Sequence, residues 1–127
     1  LDHFKLINDT YGHGIGDMVL KHFSSILEHT LRKSDYIFRF GGEEFMILLP
    51  MTDKSEALVL AQKVCSATAS SELVIENISI QYTVSIGTIA ILIDNTTQIE
   101  QETIDQYVAQ VDEKLYLAKE RGRNRVE

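Results

Sequence analysis

A mixed α/β domain built on a β-hairpin is the fold class that this chain of 127 residues predicts. Three observations carry it. Phe45-Met46-Ile47-Leu48-Leu49 is a continuous apolar run stopped by Pro50, and the β-branched and aromatic stretch Tyr36 to Phe40 precedes it, so the two form a hairpin about Gly41-Gly42. Ile78, Ile80, Tyr82, Val84 and Ile86 alternate with Ser79, Gln81, Thr83 and Ser85, the pattern of a strand with one buried face. Around these runs lie three long segments with apolar residues at helical spacing.

The hairpin organises the rest. Its second run, apolar at every residue, predicts a strand covered on both faces. The adjacent carboxylates Glu43 and Glu44 at its tip then stand on rigid backbone at the mouth of a core. Glycine at Gly41 and Gly42 allows a positive φ in a tight turn and a close approach of ligand to the backbone.

The chain is long enough for one domain with a real core. Its 44% hydrophobic and 24% charged content are those of an ordinary globular protein. A net charge of −7 argues against a nucleic-acid binder that works by neutralising phosphates. A nucleotide enzyme can still be acidic, because metal ions and a few local cations hold the phosphates. The single cysteine, Cys65, has no intrachain disulfide partner, which suits a reducing compartment. No apolar run approaches the roughly 18 residues of a membrane span, and no signal-peptide pattern opens the chain. The expected location is cytoplasmic.

In chain order, Phe4, Leu6 and Ile7 predict a short helical turn broken by Asn8-Asp9-Thr10-Tyr11-Gly12. Gly12-His13-Gly14-Ile15-Gly16 lacks the spacing and the preceding strand of a phosphate loop. A helix is expected from Asp17, whose carboxylate suits the dipole at its start, with Val19, Leu20, Phe23, Ile26, Leu27 and Leu31 as its apolar stripe. Arg32-Lys33-Ser34-Asp35 ends it. Asp53-x-x-Glu56 is a capping box for a second long helix with Ala57, Leu58, Ala61, Val64 and Cys65 inward. Ser70 to Asn77 is a surface crossing before the alternating strand Ile78–Ile86, and Gly87 marks a bend or bulge. An acidic loop, Asp94 to Glu102, leads to a third helix carrying Ile104, Tyr107, Val108, Val111, Leu115 and Ala118 on one face. Gly122 closes it, leaving Lys119, Arg121 and Arg123 at a helix C-terminus.

The Gly41-Gly42-Glu43-Glu44-Phe45 run, the Asp2-x-x-Lys5 and Asn8-Asp9-x-x-Gly12-His13 pair with Gly16-Asp17, Arg32-x-x-Asp35, and Leu115-Tyr116-x-Ala118-Lys119 with Gly122-Arg123-Asn124 occur in the order and spacing of one family. The chain resembles the GGDEF domain of diguanylate cyclases, in its Gly-Gly-Glu-Glu-Phe form. That resemblance implies a ferredoxin-like, palm-type fold, with a central, mostly antiparallel sheet flanked by helices as in nucleotidyl cyclase catalytic domains. It implies condensation of two GTP molecules into cyclic di-GMP, with Mg²⁺ or Mn²⁺ as cofactor. Glu43 would bind metal together with the carbonyl of Leu1, and Glu44 would help deprotonate the attacking 3′-hydroxyl or second the metal. Amides at His3 and Phe4 would hold the β- and γ-phosphates, Lys119 and Arg123 would grip them, and Gly41 and Gly42 would admit the substrate. Asn8 and Asp17 would bind guanine. A carboxylate accepts from both N1–H and the 2-amino group of guanine, and adenine offers neither. Arg32 and Asp35 would form a separate inhibitory site for the product cyclic di-GMP.

Since each domain would hold one GTP, a homodimer is expected, with an upstream sensor domain in the parent protein. The family's second metal-binding Asp stands one residue before Leu1, at the end of an interior strand. Residues 1–127 are thus expected to be a single domain truncated at its N-terminus, with a slot between Phe45–Leu49 and Ile78–Ile86. The alternative is a non-catalytic GTP or cyclic di-GMP binding module that regulates a neighbouring domain.

Overall fold

A computed structural model of the chain, describing residues 1–127 throughout, contains four helices and two β-hairpins. Helix α1 (Phe4–Tyr11) and helix α2 (His13–Thr30) meet at Gly12, whose φ of 88° lets it end one helix and start the next. The sequence predicted a break at Asn8 and a helix start at Asp17. Instead α1 runs through Tyr11 and α2 starts at His13. Glycine in a helix costs about 1 kcal/mol against alanine, yet Gly14 and Gly16 lie inside α2. Packing outweighs propensity here, because a Cβ on Gly16 would collide with the side chain of Asn8 and stand 3.3 Å from the Phe4 ring.

Strands β1 (Tyr36–Arg39) and β2 (Phe45–Leu48) are antiparallel, with Tyr36 opposite Leu48 and Arg39 opposite Phe45. The connection, Phe40 to Glu44, is longer than a tight turn, and neither Gly41 nor Gly42 has a positive φ. Ile37, Phe45 and Ile47 face the core, where Phe45 meets Phe23 of α2 edge-on at 5.1 Å. The other face, with Tyr36, Phe38 and Leu48, is exposed. An all-apolar run therefore does not here mean cover on both faces: the core packs against only one side of this two-stranded sheet.

Helix α3 (Lys54–Ser70) starts at the predicted capping box, in which Asp53 Oδ1 accepts from Glu56 N at 2.8 Å and Glu56 Oε2 from Asp53 N at 3.0 Å. Of its predicted stripe, Val64 and Cys65 are buried, and Leu58 lies on the exposed side. The expected surface crossing after it contains a strand. β3 (Leu73–Ile75) turns back through Glu76, at φ 52°, into β4 (Ile78–Ile80). The β4 ladder stops at Ile80, short of the predicted Ile86, while burial keeps alternating through Tyr82 and Val84.

Beyond Ile80 the main chain pairs with distant segments: Thr83 O accepts from Asp2 N at 3.0 Å, and Ile86 N donates to Arg125 O at 2.9 Å. The two hairpins are separate sheets, so β2 and the Thr83 segment do not pair with each other. The first residues bridge them, since Leu1 N donates to Glu43 O at 3.1 Å while Asp2 bonds Thr83.

The core lies along α2. Val19, Leu20, Phe23 and Leu27 meet Phe4 and Ile7 of α1, Val64 and Cys65 of α3, and Ile80, Tyr82 and Val84. Burial pushes the Tyr82 phenol well above its ordinary pKa and lowers that of His22, and the Tyr82 hydroxyl and His22 Nδ1 share a hydrogen bond of 2.7 Å.

Helix α4 (Gln101–Glu120) begins inside the predicted loop and buries only Ala118 fully; Ile104 is exposed. It docks through Gly87, where a Cβ would stand 2.6 Å from Val111 O and would also overlap the Leu115 nitrogen. Gly87 thus serves a close helix approach rather than a bulge. A Schellman motif ends α4, with Gly122 N donating to Lys119 O and Arg123 N to Ala118 O, and Gly122 at φ 113°. Gly87→Ala should lower the free energy of unfolding by about 1–3 kcal/mol through this overpacking, measured by urea denaturation. A midpoint equal to wild type would show that α4 does not rest on Gly87.

Candidate active site

The loop between β1 and β2 is held by its own carbonyls. Glu44 O accepts from Phe40 N at 2.8 Å and Gly41 N at 3.2 Å, and the Arg39 guanidinium donates to Gly42 O at 2.8 Å and Gly41 O at 3.3 Å. Glu43 and Glu44 are half-buried on this braced loop. The Glu44 carboxylate folds over Gly41, 3.2 Å from where a Cβ would be, whereas Gly42 has open space around it. The sequence places Arg39 at the start of this stretch but assigns it no role. Its signal was a cation directly before a glycine loop, where freed carbonyls need donors.

Leu1 joins this loop to the phosphate-binding end expected from sequence. Its nitrogen bonds Glu43 O. His3 is the N-cap of α1 and Phe4 its first residue. By helix geometry their N–H groups have no intrahelical acceptor and face outward with the positive end of the dipole. Arg121 and Arg125 both pair with Glu127, at 2.7 and 3.8 Å, whereas Lys119 and Arg123 have no carboxylate partner. The sequence grouped Arg121 with the other cations; the fold separates it from them.

Asp2 lies beneath this end, 4% exposed. Burial alone would raise its carboxyl, but donors from Ser85, Thr83 and the Asn124 amide outweigh it and hold the carboxyl below its usual value.

Asn8 and Asp17 are brought together by the α1–α2 crossing. Asn8 lies against Gly16, the residue before Asp17. Its Oδ1 is buried with no hydrogen-bond partner, the one such side-chain atom in the chain, and Asp17 is exposed. Because α2 starts at His13, Asp17 is neither its cap nor in its first turn, so helix capping does not explain it.

Arg32 and Asp35 stand at the other end of the hairpin from Glu43, about 13 Å away for a four-residue strand. They pair with each other: Arg32 N donates to Asp35 Oδ2 at 2.8 Å and its Nη2 to Oδ1 at 3.3 Å. The Asp35 side chain is fully buried and that of Arg32 is 49% exposed, donating also to Thr52. Beside them, Arg32, Thr52, Ser55 and Lys63 line a cavity of 330 Å³.

A family profile described as "Diguanylate cyclase, GGDEF domain" matches residues 1–125. The chain belongs to the GGDEF family. It is 43% identical over 125 residues to diguanylate cyclase DgcM of Escherichia coli, covering 98% of this chain and 28% of that protein. It is 35% identical over 126 residues to diguanylate cyclase A of Treponema denticola, covering 99% and 32%. The chain thus spans about a third or less of the curated relatives it matches. Among solved structures, diguanylate cyclase SiaD of Pseudomonas aeruginosa, in complex with its activator SiaC, superposes with a TM-score of 0.85 at 33% identity, covering 99% of this chain and 46% of that one. The GGDEF domain of DgcB from Caulobacter crescentus, in complex with c-di-GMP, gives 0.82 at 29% identity, covering 98% and 71%. The palm-type α/β fold expected from the sequence is that of these GGDEF domains.

GGDEF diguanylate cyclases use divalent metal ions. No group of three or more His, Cys, Asp or Glu in this chain could hold one unaided. Asp2 is spent on its three donors, which leaves Glu43 as the carboxylate whose own backbone meets Leu1. A single carboxylate fits a divalent ion that takes its remaining ligands from backbone, substrate phosphates and water.

Proposed function

We propose that this GGDEF domain condenses two GTP molecules into cyclic di-GMP and pyrophosphate. The observation that carries this reading is that hydrogen bonds tie the Glu43-Glu44 loop to Leu1 and the residue after Arg123 to Asp2, so that both meet the chain just before the N-terminus of α1. The amides of His3 and Phe4 take the β- and γ-phosphates on the helix dipole, and Lys119 with the forked guanidinium of Arg123 neutralises them. Gly42, with nothing near its Cα, lets a nucleotide lie against the loop. Asn8 Oδ1 accepts from the guanine edge, which gives a buried orphan acceptor its partner, and Asp17 accepts from N1–H and the 2-amino group.

Glu43 and the Leu1 carbonyl would hold Mg²⁺ or Mn²⁺, which when bound stabilises the charge on the leaving pyrophosphate. Glu44 lies over Gly41, where it can accept the proton of a 3′-hydroxyl. Each 3′-oxygen attacks the α-phosphorus of the other nucleotide, two bonds form and two pyrophosphates leave. One domain supplies one nucleotide, so two domains must face each other in a homodimer. Arg32 and Asp35, at the far end of the hairpin, form the product site: guanine N–H donors compete for Asp35 and the freed guanidinium takes a phosphate. No helix is long and apolar enough to cross a membrane, and GTP places the domain's work in the cytoplasm. A sensor domain upstream would govern dimerisation.

Full-length protein given GTP and Mg²⁺ should release cyclic di-GMP and pyrophosphate in a ratio of about one to two, and chelation should abolish it. GTP binding without turnover would instead leave a regulatory binding module. Asp17→Ala should weaken GTP by about 1–3 kcal/mol, as loss of a bidentate base contact does, and leave ATP unchanged; calorimetry showing equal GTP affinity would remove Asp17 from the site. Arg32→Ala should abolish cyclic di-GMP binding at that site and spare GTP. Unchanged product affinity would reduce the Arg32–Asp35 pair to a helix terminus.

A further inference from the structure

Asp2 is the one buried carboxylate that the proposed function does not use. It is 4% exposed, and its oxygens accept from three separate places: Thr83 Oγ1 at 2.7 Å, Ser85 Oγ at 2.6 Å and Asn124 N at 3.1 Å. Its own amide donates to Thr83 O. Asp2 immediately precedes His3 and Phe4, and Asn124 immediately follows Arg123. The Asn124–Asp2 bond therefore joins two segments 122 residues apart in the chain, one at the helix amides and the other at the guanidinium.

The Arg123 turn needs such a restraint. Arg123 and Asn124 take φ of 62° and 46°, consecutive left-handed residues without a glycine between them. Such conformations persist only where surroundings over-determine them. The surroundings here are few: Arg123 N donates to Ala118 O at 2.9 Å, Asn124 Oδ1 accepts from Cys65 Sγ at 3.5 Å, and Asn124 N is held by Asp2. Arg123 makes no side-chain hydrogen bond or ion pair of its own, so its placement depends on that backbone.

We propose that Asp2 is a positioning residue: its carboxylate sets the Arg123 turn relative to the N-terminus of α1, so that the guanidinium and the helix amides face one triphosphate. Thr83 and Ser85 orient the carboxylate, and Asn124 reads its position. The proposal rests on the GTP-binding reading above, and its test separates the two.

The test uses the isosteric Asp2→Asn in the full-length protein, alone and combined with Arg123→Ala. Hydrogen exchange at Arg123 and Asn124 should quicken while Leu27 and Val64 stay protected. The KM for GTP should rise about tenfold or more, as for loss of a charged hydrogen bond, with kcat little changed, the signature of lost uniform binding. On the Arg123→Ala background Asp2→Asn should add no further rise. Wild-type protection at Asn124, or the full rise persisting without Arg123, would overturn the proposal. If Asp2→Asn does not fold, Thr83→Val removes a donor to the same oxygen and should give the same pattern at smaller size; unchanged exchange and KM in that variant overturn it equally. Should wild type bind no GTP, the functional reading fails, and exchange at Asn124 still decides whether Asp2 holds the turn.

Discussion

The elements of the candidate site are arranged around the apolar stripe of α2, where Val19 and Leu27 are completely buried and Phe23 nearly so. A fully buried side chain of this size contributes about 1.5–3 kcal/mol, and few other elements have that support. The α1 helix docks on this stripe through Phe4 and Ile7, β2 through Phe45 and α3 through Val64 and Cys65. The two hairpins share no ladder, so hydrogen bonding between sheets cannot set their relation. The α2 core does.

The groups proposed to meet the nucleotide lie at the ends of elements rather than along them. The N-terminus of α1 supplies amides, the β1–β2 loop supplies carboxylates, and the end of α4 supplies cations. Termini are where backbone groups lack internal partners and where dipoles concentrate charge. The domain uses its other charges to keep these free: Glu127 engages Arg121 and Arg125, and Arg39 is spent on the carbonyls of Gly41 and Gly42. A buried acceptor with no partner, Asn8 Oδ1, would cost about 1–3 kcal/mol. It lies at a crossing where the missing Cβ of Gly16 makes room for it.

Much of this was legible in the chain itself. The capping box at Asp53 and Glu56, the α2 stripe and the C-terminal Gly122 depend on interactions within a few residues, and local spacing specifies them. The order of the Gly41–Phe45, Asn8–Asp17, Arg32–Asp35 and Lys119–Arg123 motifs was likewise enough to identify the family. Strand β3 also had a local signal, the apolar run Leu73-Val74-Ile75 between two glutamates, but the positive φ of its turn falls on Glu76 rather than on a glycine or asparagine.

What only the tertiary structure decided concerns contacts between distant residues. Propensity argued against a helix through Gly14 and Gly16, and packing of Gly16 on Asn8 and Phe4 overruled it. Gly87 read as a bend, but its missing Cβ makes room for the α4 backbone, a partner more than twenty residues away. The apolar run of β2 could not show that one of its faces stays open, because burial on one side or both leaves the same pattern in sequence. Nor could spacing show that Asp2 bonds Asn124 or which arginines Glu127 occupies. Side-chain periodicity records which face of an element is apolar; the fold alone determines what that face, or a buried carboxylate, meets.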